Sequence, residues 1–334
     1  MVRFGKTIGF VAGGIGDQMY HFTQLRALAE VSASGTIDIA CLTPAPIADL
    51  LNLSPWAGKI IDARPFRRYL PGIRGEKTVG MLKDHYDTAF VLHRSTSFKL
   101  VALRAGIPKR IGFEGNYFDR FLLSDTLRAE AGGNFRNRWG HRRYIGAIEE
   151  WMFEQGLELD DINPTVIADK ERVSKLSASL DEFPRPFIIA NGFVQNPIRR
   201  WPVEHFASCL ISTATATGGS IILNAGPDAK EYFDEVMGIL ARIDIPVKNS
   251  LGLTQSIHDS VALYHLADIY VGVDSFTANL AYNCNLPAVS IFPKPSDALS
   301  YKPRIVPIFP KEEGKIDTIN PALIIEASAT LLKA

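Results

Sequence analysis

The feature that most constrains this chain is its rhythm. Short, apolar, β-branched runs alternate with helix-period segments almost from end to end. The runs are Thr7–Ala12, Thr36–Leu42, Lys59–Asp62, Thr88–Leu92, Phe187–Asn191, Ser220–Asn224, Ile269–Val273 and Ala288–Phe292. Each is bounded by Gly, Pro, Asn or Asp, as expected of strands buried on both faces. Between them lie stretches such as Gln18–Val31 and Ser256–Leu266, whose apolar residues recur at helical spacing. Strand–helix alternation of this kind predicts α/β architecture with parallel sheets built from right-handed crossovers.

The rhythm breaks once, across Asp160–Pro186, where a polar amphipathic stretch closes on two prolines before Phe187 opens a second strand–helix series. A chain of 334 residues is also too long for one ordinary core. Two Rossmann-like domains are therefore expected, 1–165 and 166–334, with the final helix near Pro321–Lys333 a candidate to pack back on the first.

Composition narrows the function classes. With 36 basic and 36 acidic residues the formal net charge is zero, so no whole-molecule field argues for nucleic acid. Cys41, Cys209 and Cys284 are far apart in apolar surroundings and fit neither a disulfide framework nor a metal site. The opening apolar run ends in glycines after a few residues, too short for a signal peptide or a membrane span. A cytoplasmic protein is expected, able to touch a membrane surface.

Four strand-to-helix turns carry the chemistry. The first, Gly13-Gly14-Ile15-Gly16-Asp17, joins a tight glycine turn to a helix start, whose free N–H groups favour an anion. Its spacing departs from G-x-G-x-x-G, so dinucleotide binding is not indicated. Asp17 reads equally as an N-cap and as a carboxylate at the edge where ligands of parallel sheets bind. The second is Asn191-Gly192-Phe193-Val194-Gln195-Asn196-Pro197-Ile198-Arg199-Arg200-Trp201-Pro202. Two arginines on such a loop suit a diphosphate clamp, although paired surface arginines are more often simply solvated. The third runs from a buried strand into Asp274-Ser275-Phe276-Thr277-Ala278-Asn279, where small side chains admit phosphate oxygens to a helix N-terminus. The fourth, Asn224-Ala225-Gly226-Pro227-Asp228 with Glu231, offers acids for ribose hydroxyls or for the helix dipole.

In this order the motifs resemble glycosyltransferase family 9, the heptosyltransferases of lipopolysaccharide core assembly. The family's GD…LRAL opening is matched by Gly16-Asp17 and Leu25-Arg26-Ala27-Leu28. Its K-R-W-P stretch is matched by Arg199-Arg200-Trp201-Pro202, its G-G-P-D turn by Ala225-Gly226-Pro227-Asp228, and its D-[ST]-G-x-x-H-L-A signature by Asp274–Ala281. Four positions depart from the pattern: Thr23 replaces a proline, Arg199 a lysine, Phe276 a glycine and Asn279 a histidine. The last three fall where the donor diphosphate is expected, which leaves base and sugar open.

The resemblance implies a GT-B type fold, two Rossmann-like domains facing a central cleft, and an inverting transfer from a nucleotide diphosphate-sugar. Asp17 would be the general base. Arg199 would neutralise the leaving diphosphate, with Gln195, Arg200, Asp228, Glu231, Thr254, Asp274, Ser275, Phe276, Thr277 and Asn279 around the donor. The chain has no Asp-x-Asp pair to bridge a divalent ion, so no metal and no cofactor beyond the donor substrate are expected. Gly14, Gly16, Arg64, Arg67 and Arg94 would meet the acceptor. Three basic stretches of the first domain, Arg64–Arg74, Arg94–Arg110 and Arg136–Arg143, suit an anionic glycan or glycolipid at the inner membrane face. RNA would suit the charge, but no aromatic-interleaved motif accompanies it. The alternatives are another sugar-nucleotide enzyme of two Rossmann domains, an epimerase or hydrolase, and a silent nucleotide-sugar-binding module.

Overall fold

The computed structural model describes residues 3–67, 73–114, 116–127, 141–295 and 299–333; the side chains of 73–75 and 141–144 stand outside that description. The chain forms two compact units, Met1–Asp160 and Asp161–Ala334. Each is a parallel six-stranded sheet dressed with helices.

In the first unit the strands are β1 (Thr7–Phe10), β2 (Ile37–Cys41), β3 (Ala57–Asp62), β4 (Thr88–Val91), β5 (Lys109–Phe113) and β6 (Asp125–Leu127). Their order is β3-β2-β1-β4-β5-β6. Chain order therefore reverses between β1 and β4, which pair in register at Gly9 and Phe90. β1, β2 and β4 are wholly buried, and Ile8, Phe10, Ala40, Val91 and Phe98 meet in one core. The expected helix Gln18–Val31 is two helices, Ile15–Met19 and Phe22–Glu30, parted by a turn at Tyr20-His21.

The second unit repeats the plan with β7 (Phe187–Asn191), β8 (Ser220–Leu223), β9 (Val247–Asn249), β10 (Ile269–Val273), β11 (Ala288–Ile291) and β12 (Ile305–Ile308). The order is β12-β11-β10-β7-β8-β9, so here the reversal lies between β10 and β7. Ile188, Ala190, Leu210, Ile221, Val271 and Val289 form its core. The final helix, Pro321–Leu331, sends Ile324 into that same core and packs on the helix Val203–Thr217.

The break between the units falls five residues before the expected 165/166. The N–H groups of Thr165 and Val166 already donate to the Asn283 carbonyl, at 2.9 and 3.1 Å, which ties the linker to the second unit. Four strands, β5, β6, β9 and β12, lack the apolar run by which the others are read. Each lies towards the outside of its sheet and is only partly buried.

Candidate functional site

In an open parallel sheet, the loops leaving two neighbouring strands part company where chain order reverses, and ligands bind in the gap that results. The first unit has such a gap at the carboxyl ends of β1 and β4. It holds a hollow of about 170 Å³ lined by Ala12, Gly13, Asp17, Tyr20, His21, Leu92, His93, Arg94 and Ile145.

Asp17 sits in the third position of its helix, with Gly14 as the N-cap. The expectation that Asp17 is itself the N-cap is thereby corrected. Its Oδ2 reaches back to accept from the Gly14 N–H at 2.8 Å. That contact requires the tight turn at Gly13, where φ is +103° and a Cβ would fall 2.5 Å from the Asp17 side chain. Gln18, fully buried, braces the turn by donating to the carbonyls of Gly13 and Gly14 and to Thr43 Oγ1. One carboxylate oxygen is thus held. Among the described residues the other, Oδ1, accepts no hydrogen bond.

His93 was not among the residues singled out from the sequence, yet it lines the same hollow. Its Nδ1 accepts from the Ser95 N–H at 3.1 Å, which leaves the proton of the neutral ring on Nε2. Desolvation by the surrounding protein, then the charges of Arg94, Lys99 and Arg67, lower its pKa to about 4, against the opposing pull of Asp17. At neutral pH the hollow therefore offers a carboxylate, a neutral imidazole donor and the exposed guanidinium of Arg94.

The basic stretches divide differently. Arg94 lines the hollow, and Arg67 is exposed and close enough to act on His93. Arg64 is spent on Asp62, 2.6 Å away. Lys99 is fully buried against Asp119 at 2.6 Å. Arg104 pairs with Glu76, and Arg110 donates to the carbonyls of Ile107, Pro108 and Leu122. Apart from Arg94, the second stretch is thus largely tied into the structure, because Lys99, Arg104 and Arg110 each have protein partners. Arg68, Arg74 and the stretch Arg136–Arg143 lie outside the described residues or side chains. Arg26 of the Leu-Arg-Ala-Leu motif is buried and pairs with Asp160 at 3.4 Å, a structural tie.

In the second unit the reversal lies between β7 and β10, and the loops leaving β7, β8, β9 and β10 share one sheet edge. Asn191, at the end of β7, donates to Thr277 Oγ1 at 2.9 Å and so locks that loop to the start of the helix Phe276–Asn283. Gly192 is obligatory next to it, since a Cβ would collide with the Tyr232 hydroxyl and the Phe206 ring. Trp201 is wholly buried, and its carbonyl accepts from Tyr232 at 2.7 Å. The tryptophan of Arg-Arg-Trp-Pro is therefore the loop's anchor.

That anchor sends the two arginines apart. Arg199 Nη2 donates to Asp274 Oδ2 at 2.7 Å and to the Asp274 carbonyl at 3.1 Å, which places the guanidinium beside the helix start at Ser275–Thr277. Its Nε is shielded from water and, among the described residues, has no hydrogen-bond partner. Arg200 instead donates to the Val194 carbonyl and lies 4.3 Å over the Phe193 ring, so the two arginines do not act as a pair: Arg200 braces its own loop and Arg199 alone reaches the helix start. Asn279 is likewise a brace: it is buried and its amide donates to the Ser275 carbonyl at 2.9 Å. Gln195 donates to Asp228 at 3.2 Å across the two loops. Asp228, Glu231 and Arg200 line a hollow of about 440 Å³ on that side. Thr254 closes the turn after β9 on the Ser250 carbonyl. Among the described residues no three His, Cys, Asp or Glu side chains are grouped to hold a metal ion.

Comparison with known proteins follows the same lines. The model of glycosyltransferase family 9 (heptosyltransferase) matches residues 78–306. Lipopolysaccharide heptosyltransferase 2 of Escherichia coli (strain K12) is 25% identical over 310 residues, 87% of this chain and 85% of that one. Among solved structures, the family 9 glycosyl transferase of Veillonella parvula DSM 2008 superposes with a TM-score of 0.76 at 14% identity, over 100% of this chain and 98% of the other. The E. coli ADP-heptose lipopolysaccharide heptosyltransferase II does so at 0.70 and 22% identity, over 98% of each chain. The two parallel six-stranded sheets are those of the GT-B fold that these neighbours share. The chain belongs to glycosyltransferase family 9, the heptosyltransferase family, and is a glycosyltransferase.

Proposed function

We propose that this enzyme is an inverting transferase that moves a sugar from a nucleotide diphosphate-sugar to a hydroxyl of an anionic glycan or glycolipid. ADP-heptose, the donor in the name of the E. coli relative, is the first to test. The observation that carries the reading is Arg199, held by Asp274 beside a helix N-terminus at the reversal point of the second sheet, with a shielded N–H donor left over. Buried donors without partners are rare, and an incoming phosphate oxygen is the partner this one lacks.

In this reading the second unit binds the donor. The diphosphate lies on Arg199 and the amides at Ser275, Phe276 and Thr277, where helix dipole and guanidinium together stabilise the charge that grows as the glycosidic bond breaks. Asp228 and Glu231 accept from ribose hydroxyls, while Gln195 and Thr254 shape the adjoining loops. The first unit binds the acceptor. Asp17, one oxygen fixed by Gly14 and the other open, takes the proton of the attacking hydroxyl. Gly14 and Gly16 floor the site, and Arg94 and Arg67 meet acceptor anions. Leaving-group stabilisation falls to the cation and the helix end, so transfer proceeds without a divalent ion. The enzyme works in the cytoplasm, in contact with the inner membrane face.

A hydrolase or epimerase would consume the nucleotide-sugar without an acceptor, and a silent binding module would not consume it at all. Nucleotide release with and without acceptor separates the three. A thermal-shift panel of ADP, UDP, GDP and dTDP identifies the base, since the ligand that binds the native state tightest raises apparent stability most. Acceptor-independent release, or binding with no release under any condition, would sink the transferase reading.

A further inference from the structure

Just beyond β5 the chain makes a hydrogen-bonded knuckle that exposes what soluble surfaces normally hide. Tyr117, Phe118 and Phe121 are 61%, 71% and 63% exposed within five residues. They touch one another, with Tyr117 ring centroids 6.1 Å from Phe118 and 5.7 Å from Phe121. The guanidinium of Arg120 stacks 3.6 Å over Tyr117 and lies 5.2 Å from Phe121. Such a cluster is costly to leave in water unless something covers it.

The backbone beneath is fastened with unusual thoroughness. Asp119 is wholly buried and pairs with the equally buried Lys99, while its other oxygen accepts from Thr96 Oγ1 at 2.8 Å. Asn116 accepts from the N–H groups of Phe118 and Asp119 and donates to Thr96. A buried ion pair between two elements fixes geometry more than it adds stability. Here it holds the acid of the Phe-Asp-Arg-Phe segment inside and neutralised, and turns the aromatics and the arginine outward.

We propose that this knuckle is a docking site for an anionic phospholipid surface. Its composition matches the interfacial layer of a bilayer: aromatic rings for the headgroup and acyl boundary, a guanidinium for the phosphates. Charge points the same way, since Arg94, Arg67 and Arg120 are exposed around this edge while Glu114 and Asp17 are half-buried and Asp119 is cancelled by Lys99. β4 and β5 are parallel neighbours, so the knuckle and the His93-Arg94 turn leave the same edge of the sheet. Docking would bring the acceptor hollow to the membrane, which rests on the proposed lipid-linked acceptor and names the surface that reaches it.

The test is co-sedimentation of the full chain with vesicles of phosphatidylglycerol and phosphatidylcholine, against vesicles of phosphatidylcholine alone. The wild type should sediment with the anionic vesicles, and Tyr117→Ser/Phe118→Ser/Phe121→Ser should lower the partition coefficient by about tenfold or more. Arg120→Gln should weaken binding to anionic vesicles and flatten its salt dependence. Phe118→Ser alone, with an unchanged melting temperature, serves if the triple variant does not fold. Transfer to a lipid-free acceptor should be equal in all variants, which separates failure of docking from failure of the transferase reading. Equal sedimentation of wild type and variants, no wild-type binding, or a wild-type dimer that the substitutions dissociate would each overturn the proposal, the last by assigning the patch to a second copy.

Discussion

Asp17→Asn separates the structural job of one side chain from the catalytic job proposed for it. Oδ2 holds the first helical turn through the Gly14 N–H at 2.8 Å, and the amide oxygen of asparagine can keep that bond with the same shape. The substitution gives up only the negative charge in the first helical turn, worth about 0.3–1 kcal/mol, so the melting temperature should move little. What disappears is the proton acceptor at the open oxygen. General-base catalysis is typically worth about 10²–10⁴ in rate, or about 2.7–5.5 kcal/mol of barrier at about 1.36 kcal/mol per decade. Turnover should fall by that factor. Nucleotide affinity should hold, because the proposed donor residues all belong to the other unit. Asp17→Ala should lose the same turnover and, with the Gly14 donor stripped of its acceptor, about 1 kcal/mol of stability as well, the usual net worth of one hydrogen bond. Melting temperature, nucleotide affinity and transfer rate measured on both variants give the answer. An Asp17→Asn enzyme with wild-type turnover would refute the assignment of the base, and so would a loss of turnover that tracked a loss of stability.

The remaining predictions concern the partners of Asp17 and the donor side. Arg199→Ala should weaken diphosphate binding and slow transfer together, by about 1.5–3 kcal/mol for one charge-assisted contact; calorimetry and initial rates that both stay at wild-type values would return Arg199 to the surface. Activity should persist in excess chelator, and complete loss restored by magnesium or manganese would defeat the cation-and-helix account. His93→Phe should raise the acceptor KM while His93→Gln, which retains a donor, rescues most of it; equal KM values in both would remove His93 from the acceptor site. Because the folded pKa of His93 is near 4 and its ordinary value 6.5, the unfolded chain binds the extra proton between those limits. Stability therefore declines as pH falls from about 6.5 to about 4, and His93→Gln should flatten that part of the melting profile.

Central strands were readable because burial on both faces demands continuous apolar runs, as in Ile-Tyr-Val-Gly-Val of β10. Outer strands escape that demand. β9 is three half-buried residues, β6 exposes Asp125, β5 opens on Lys109-Arg110, and β12 contains Pro307, which an edge strand tolerates. The early break between the units has a similar cause. The polar run after Asp160 looks like linker throughout, but backbone bonds to Asn283 commit Thr165 and Val166 to the second unit.

The site shows why local pattern reaches some residues and not others. Asp17 and Arg199 sit in strand–turn–helix contexts whose meaning is carried by a dozen consecutive residues. His93 has no such context. Its membership follows from β4 lying beside β1, which is a fact of strand order and not of spacing. Arg199 and Arg200 fail in the opposite direction, since adjacency in sequence suggests joint action. The buried Trp201 fixes the backbone after them, and two consecutive residues leaving such an anchor face different ways: one meets Asp274, the other the Val194 carbonyl and the Phe193 ring. The same logic weighs the change at Asn279. Its side chain is folded into its own helix turn, on the Ser275 carbonyl, where it braces the amides that precede it. On the proposed reading, donor chemistry then rests on Arg199 and the helix start, and replacing the family's histidine with Asn279 leaves that charge in place.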